Sequence, residues 1–502
     1  MDTIFSAIIG ELANRSISFF TDRYLKPAQS KDESIQRLQL MLLRVRLTVE
    51  EAEGRSITNQ TMVWQLDLLR NMMYRGYYML DTFKRQLQDE EEDKDHGVSH
   101  SLSLSKFNPA KRVCFSADSK YGMKELKEMI ESVKITVAGM KEFVVFLRNY
   151  PPMFRQPYNI YLFLERCMFG RQMEVEQVIK FLLHEEPRGD NNISVLPIVG
   201  PVKVGKTTLV DHACCDERVR NHFSRIIFLS GDDFRELNQG NLRDEGRTNP
   251  QNSGSNVEKF LVIIEQVGHF DESSWEKLYS ASRSNIPAGS KIIITSRSEN
   301  IMNFGTRRAL RLTYLSREAY WYYFKALVFG SEDPEGQQKL ASIAMEIFDE
   351  LFGQDIYTRF TGPFLDLKNT ACHLKANIGV QSWCRILGCI RDNKQQMERL
   401  SRKRPSDSGM ENDRLFLRRI TETAQFCVVY SHDQIALEKE VAPKITLIEL
   451  ISGGAPPPGK FDVLVCSHLP PYQKHIYSCE ILELGDEVTR TTQGLKRKIS
   501  SS

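Results

Sequence analysis

The stretch Gly200-Pro-Val-Lys-Val-Gly-Lys-Thr-Thr208 decides how the middle of this chain is read, because it keeps the spacing G-x-x-x-x-G-K-S/T. Glycines let a backbone bend around an anion so that successive N–H groups point at a phosphate. Lys206 would place a point charge between the β- and γ-phosphates, and Thr207 would offer its hydroxyl to Mg²⁺. Gly200, Val204, Gly205, Lys206, Thr207 and Thr208 are therefore the candidate nucleotide contacts. An apolar run, Ser194-Val-Leu-Pro-Ile-Val199, precedes the loop and a helix opens at Thr207, the strand–loop–helix setting such a loop needs. Pro197 sits badly in this picture, since a proline donates nothing to a central sheet ladder.

Working outward, the apolar runs Ile226-Ile-Phe-Leu229, Leu261-Val-Ile-Ile264 and Lys291-Ile-Ile-Ile-Thr295 alternate with helical spacing and predict a parallel α/β sheet. Residues 1–150 are helical in pattern. A first amphipathic stretch from about Asp2 to Leu25 carries Phe5, Ile9, Leu12 and Phe19. A second opens with the capping box Ser30-x-x-Glu33 and repeats Ile35, Leu38, Leu42, Val45 and Val49. A third carries Leu66, Leu69, Met73, Leu80, Phe83 and Leu87, with Gly76 on the same stripe, where a neighbouring helix can approach closely. A fourth runs from Met123 to Leu147 and stops before Pro151-Pro152. Four such stripes predict a four-helix bundle. The acidic run Asp89-Glu-Glu-Glu-Asp93 and the Ser-rich segment after it, to about Asp118, are expected to be a mobile loop.

In this order the segments resemble the NB-ARC switch proteins of plant immunity, the coiled-coil disease-resistance (NLR-type) family. Phe169-Gly-Arg171 resembles the family's V-x-G-R start, whose backbone meets the adenine, so Phe169, Gly170 and Arg171 join the candidate nucleotide contacts. Asp216-Glu-Arg-Val-Arg-x-His-Phe223 resembles its D-x-x-V-x-x-H-F segment. Gly289-Ser-Lys-Ile-Ile-Ile-Thr-Ser-Arg297 is similar to its G-S-K-I-x-x-T-T-R strand, where Arg297 would sense the terminal phosphate. Leu315-Ser-Arg-Glu-Ala-Tyr-Trp321 resembles the start of its next helical subdomain.

Departures from the family pattern shape the expectations. After Leu261–Ile264 the family has two aspartates; here stand Glu265 and Gln266. Glu265 would still hold Mg²⁺, but Gln266 cannot act as a base, which implies nucleotide binding with little or no hydrolysis. Gly362-Pro-Phe-Leu-Asp366 lies where the family has G-L-P-L-A, whose prolyl ring packs on adenine; the proline here, Pro363, is moved one place and joins the candidate nucleotide contacts, with an altered nucleotide affinity implied. Residues between Arg235 and Val257 are polar and are expected to be a disordered insert. Trp64-Gln-Leu-Asp-Leu-Leu-Arg70 through Asp81 resembles the helix that carries an acidic E-D-x-x-D patch. Tyr77 and Tyr78 fill its first two acidic places and only Asp81 is kept. Trp64, Arg70, Tyr77, Tyr78 and Asp81 are the candidate interaction residues.

The remainder is less decisive. Arg391 to Arg414 reads as a charged linker, and β-like runs at Lys444–Ile451, Phe461–Val465 and Ile476–Ile481 predict a small β-rich unit. Ser431-His-Asp433 shares two letters with the family's M-H-D motif in the wrong setting, and no leucine-rich repeat is found. The expected order is a helical bundle at 1–150, a nucleotide-binding α/β domain at 160–315 and a helical subdomain at 316–390. A linker at 391–414, the β-rich unit at 415–485 and a disordered tail at 486–502 complete it.

The chain has 502 residues, a formal net charge of +2 and 10 cysteines without metal-ligand spacing. That balance argues against nucleic acid, no apolar run is long enough for a membrane span, and the start lacks a signal peptide's basic region, so a cytoplasmic protein is expected. The resemblance implies a truncated immune-receptor-like switch that binds ADP or ATP with Mg²⁺ and associates with itself or other receptors through its N-terminal helices. The alternative is a non-switching adaptor or decoy that pairs with full-length receptors through the same helices.

Overall fold

The computed structural model describes residues 31–55, 57, 59–95, 119–151, 169–185, 193–230, 247–248, 259–266, 275–276, 279–280, 287, 289–330, 337–352, 362–402, 414–419, 425–435, 445–451, 454–466 and 474–483. The chain divides into two compact units, one drawn from residues 1–157 and 335–342, the other from 158–334 and 343–502.

The first unit holds helices α1 (Lys31–Glu53), α2 (Gln60–Asp95) and α3 (Ser119–Leu147). The apolar stripes meet: Leu38, Leu42 and Val45 of α1 are buried, as are Leu66 and Leu80 of α2 and Leu126 and Val133 of α3. Helix α1 packs against both others. A Cβ placed at Gly76 would lie 2.2 Å from Leu42 Cδ2, so the glycine does permit the close approach its position suggested. The expected first helix, about residues 2–25, lies outside the described residues, as does the segment 96–118.

The acidic run 89–93 is not a loop. Helix α2 continues through it to Asp95. Arg85 to Lys94 is dominated by straight-chain Gln, Glu, Lys and Arg, which lose little rotamer freedom in a helix and extend one already anchored by packing.

The second unit is built on a six-stranded sheet. Its strands are β1 (Ser194–Val199), β2 (Arg225–Ser230), β3 (Arg247–Thr248), β4 (Phe260–Gln266), β5 (Lys291–Ser296) and β6 (Leu310–Arg311), in the order β3-β2-β4-β5-β1-β6. All neighbours are parallel except β3, which runs antiparallel to β2. That short strand corrects the reading of 235–257 as wholly disordered; the rest of the segment lies outside the described residues. Helices α4 (Gln172–Leu183), α5 (Lys206–Cys215) and α6 (Glu217–His222) supply the core on one face. Trp275, Tyr279 and Phe304 cover the other. Strands buried on both faces explain the unbroken apolar runs.

Pro197 is accommodated by what lies beside it. Val195 and Val199 bond toward the segment 306–312, where Thr306 N and Arg307 N reach Val195 O and Leu312 N reaches Val199 O. Residues two apart in a strand bond to the same side, so the donor Pro197 lacks belongs to that side. There the β1–β6 pairing starts only at Ile198. Gly305 faces the ring instead: a Cβ on it would sit 2.6 Å from Pro197 Cγ and Cδ.

Helices α7 (Arg317–Phe329), α8 (Gln338–Phe352), α9 (Pro363–Ala376) and α10 (Val380–Arg402) follow. Trp321, Tyr320, Phe324 and Phe348 are almost fully buried at their centre. Helix α10 runs twelve residues into the stretch read as a charged linker. Arg391 pairs with Glu346 (2.7 Å) and Glu350 (2.9 Å), and Lys394 with Glu350 (3.1 Å), so its charges form one face of a packed helix.

Strands β7 (Arg414–Arg418), β8 (Gln425–Ile435), β9 (Lys460–Cys466) and β10 (Lys474–Glu483) form an antiparallel sheet in the order β7-β8-β10-β9. The β-like run Lys444–Ile451 is not a strand: Leu447–Ile451 is a short helix, α11. Thr446 N donates to Glu449 Oε2 (3.0 Å) and Glu449 N to Thr446 Oγ1 (3.2 Å). This is a capping box, and Thr446-x-x-Glu449 was its sequence signal. Ser431-His-Asp433 lies within strand β8.

Candidate phosphate-binding site

Strand β1 ends at Val199, the chain turns through 200–205, and α5 starts at Lys206. Gly205, at the N-cap, has φ 97° and provides no side-chain cap. The first amides of α5 are thus left for something other than their own chain's side-chain cap, and the helix dipole favours an anion there. Gly200 leaves no room for a side chain: a Cβ would come within 2.6 Å of Leu312 O and 3.2 Å of Val204 Cγ1. Val204 itself is buried in the core beneath the loop, which pins the turn to the sheet.

Lys206 Nζ donates to Gly200 O and Pro201 O at 2.8 Å each, folding across the loop. The Tyr314 hydroxyl donates to the next carbonyl, Val202 O, at 2.5 Å. Partial burial and the positive charge of Arg297 pull the Lys206 ammonium down to about 8, against the attraction of Glu265. Three expected residues are thereby placed together at the ends of neighbouring elements. Glu265, at the end of β4, is also bridged by Thr207, whose Oγ1 donates to Glu265 Oε1 at 2.8 Å. Thr208 is half-buried in the first turn of α5. Gln266 pairs through its backbone with Ser296; its side chain lies outside the described residues.

Phe169, Gly170 and Arg171 lie at the start of α4. Gly170 has φ 67°, and Leu315 would meet a Cβ on it at 3.1 Å. Arg171 is buried, pairing with Glu174 (3.0 Å) and donating from Nη2 to Thr313 O, so its guanidinium serves structure here. The Phe169 ring packs on Tyr323, centroid to centroid 5.2 Å. Pro363 opens α9 at its first helical position, after Gly362 with φ 87°. Gly362 comes right up to the phosphate loop, since a Cβ on it would lie 2.9 Å from Lys203 Cβ.

The candidate interaction residues scatter. Arg70 is buried against Glu53 (3.0 Å) and Asp67 (3.3 Å), which removes it from any outer surface. Trp64 is 74% exposed, with Leu68 one turn on at 66%. Tyr77, Tyr78 and Asp81 are half-buried on α2.

Sequence reading missed Lys291. Buried at 2% exposure, it donates to Phe181 O and His184 O and sits 4.9 Å over the Phe181 ring, closing the C-terminus of α4. A basic residue at the start of a buried strand was the available signal.

A nucleotide and Mg²⁺ fit this donor set. The loop leaves the first amides of α5 without a side-chain cap, Lys206 and Arg297 supply cations, and Thr207 with Glu265 offers the hard oxygens Mg²⁺ prefers. Among the described residues no group of three or more His, Cys, Asp or Glu gathers as a metal cage. No helix among them is long and apolar enough to cross a membrane.

No family model matches the chain. Among solved structures, AMPPCP-bound DnaA from Aquifex aeolicus aligns with 50% of this chain and 91% of its own at 12% identity, with a TM-score of 0.20, too low to argue from. Curated relatives are more telling. Disease resistance protein RGA2 of Solanum bulbocastanum is 24% identical over 378 residues, covering 72% of this chain and 37% of its own. The disease resistance RPP13-like protein 1 of Arabidopsis thaliana is 21% identical over 391 residues, 72% of this chain and 36% of its own. The chain thus spans little more than a third of the length of these relatives. It is a homologue of plant disease-resistance proteins of the NLR type.

Proposed function

We propose that the second unit binds ADP or ATP with Mg²⁺ and that the chain is a nucleotide-dependent signalling switch of plant defence with little or no hydrolysis. The observation that carries this reading is the Thr207–Glu265 hydrogen bond set beside Lys206 in a loop whose first residue, Gly200, has no room for a side chain. Lys206 and the amides at the start of α5 hold the phosphates. Thr207 and Glu265 hold Mg²⁺, which when bound neutralises phosphate charge. Arg297 distinguishes ATP from ADP by meeting a terminal phosphate, and that differential contact biases one conformation over another. Gln266 has no proton-accepting group for an attacking water, so turnover is slow.

The test is to purify the chain, denature it and identify released nucleotide by chromatography, with Lys206→Ala in parallel. Near-stoichiometric ADP, lost in the variant, is the expected result. A preparation that releases nothing and takes up neither ADP nor ATP would overturn the reading.

A second reading is favoured by Trp64 and Leu68, large apolar side chains exposed on α2 opposite its buried stripe. In it the nucleotide is a structural ligand and the N-terminal helices pair with full-length receptors. Identical protease sensitivity and oligomeric state in ADP and ATP would favour this adaptor over the switch.

A further inference from the structure

Between α11 and β9 stands the run Gly454-Ala-Pro-Pro-Pro-Gly459, which holds the longest stretch of consecutive prolines in the chain and lies outside the proposed nucleotide site. Its local shape follows from covalent sterics. Each prolyl ring fixes φ near about −65°, and each residue before a proline is pushed out of the α region toward extended backbone. Both constraints meet at Pro456 and Pro457, which leaves them the left-handed polyproline helix. Accordingly, residues 454–457 belong to neither helix nor strand, and 458–459 form a bend. Gly459 ends the segment with φ 79°, a reversal that favours glycine.

The segment is held at both ends and open between them. At its start Arg419, buried at 3% exposure, donates from Nε to Leu450 O (3.0 Å) and from Nη2 to Gly454 O. Gly454 N donates to Glu449 O (2.9 Å), and a Cβ on Gly454 would lie 2.9 Å from that same oxygen. At its end the chain enters β9 at Lys460, which pairs with Glu480 of β10. Between these anchors Ala455, Pro458 and Gly459 are exposed and Pro456 and Pro457 half-buried. A Cβ on Gly459 would meet nothing within 4 Å.

We propose that residues 455–458 are a docking segment for a partner domain whose groove is lined by aromatic side chains and reads polyproline helices. The proposal does not depend on the nucleotide reading. Proline rings offer rigid apolar area, and a polyproline helix makes no internal hydrogen bonds, so its carbonyls remain for donors in the groove. Anchored ends and fixed φ angles remove much of the ordering cost that a free peptide would meet on binding. No two prolines of the run stand three apart, so it suits a groove that clasps consecutive prolines rather than one that reads P-x-x-P.

The experiment titrates the full chain against a set of purified WW domains, read by biolayer interferometry, in wild type, Pro457→Ala and Ala455→Pro. Wild type should bind, and Pro457→Ala should weaken binding at least about tenfold by removing a ring and freeing the backbone. Ala455→Pro lengthens the polyproline helix at an exposed position. It should tighten binding about two- to fivefold, the effect of one further restricted residue, a gain that damage to the fold cannot produce. Wild-type protein that binds no WW domain would overturn the proposal. So would Pro457→Ala binding as wild type does, which would place the contact elsewhere in the chain. Weakening in Pro457→Ala without any gain in Ala455→Pro would also overturn it, and the prolines would then only stiffen the connection into β9.

Discussion

At the scale of single residues, the site turns on Lys206. Its ammonium is pulled down to about 8 from 10.5 by partial burial and by Arg297. A bound phosphate needs the charged form, so ADP affinity should be steady below pH ~7.5 and weaken as pH rises through about 8, by up to roughly tenfold per unit. For stability the sign is opposite. Between about 8 and 10.5 the unfolded chain keeps a proton the folded chain has released, so stability contributed by this group rises across that window. Below it the cost of a half-buried cation is present in full. Calorimetric titrations from pH 7 to 10 separate the two effects, and Lys206→Arg, charged throughout, should flatten the binding curve. A wild-type curve that is already flat would mean the phosphates do not meet Lys206. Glu265 makes a second residue-scale prediction: Glu265→Gln keeps the bond from Thr207 but loses the charge. Mg²⁺ affinity in the presence of ADP should drop at least about tenfold, readable by titrating Mg²⁺ against ADP binding.

At the scale of elements, the strands around the site were legible because buried parallel strands leave continuous apolar runs, and Leu261–Ile264 and Ile292–Ile294 lie where those runs are. What escaped reading are elements whose cause lies elsewhere in space. The capping box at Thr446 fixes a helix in a β-branched run, and packing against Glu346 and Glu350 keeps the charged half of α10 helical. The acidic end of α2 is carried by propensity once the apolar part is anchored. Pro197 looked like evidence against a central strand until its neighbour was known. Gly305→Ala tests that neighbour. The new methyl would press on a rigid ring at 2.6 Å and on Arg307 O at 2.7 Å. Overpacking costs about 1–3 kcal/mol and outweighs the roughly 0.4–1 kcal/mol gained by restricting the unfolded chain, so the variant should unfold at lower denaturant. Stability unchanged or improved would show that the strand gives way easily.

At the scale of the whole molecule, the sequence divides by function where the structure divides by packing. The helical stripes of the first unit and the sheet of the second have separate cores. All proposed nucleotide contacts belong to the second. A ligand that binds only a folded state stabilises what it touches by about 2.7 kcal/mol at a hundred times its dissociation constant. Scanning calorimetry should then resolve two transitions, with saturating ADP raising one by about 5 °C and leaving the other in place. Trypsin with mass spectrometry would assign the shifted transition to peptides from the second unit. Unfolding cooperativity follows shared buried surface, and both faces of the sheet are covered by residues of the second unit itself. A single transition that moves as one in ADP would mean the two units melt together, and the helices would then feel the nucleotide through stability alone. Two transitions, one of them deaf to ADP, would leave any signal from the loop to the helices to be carried by a change of shape.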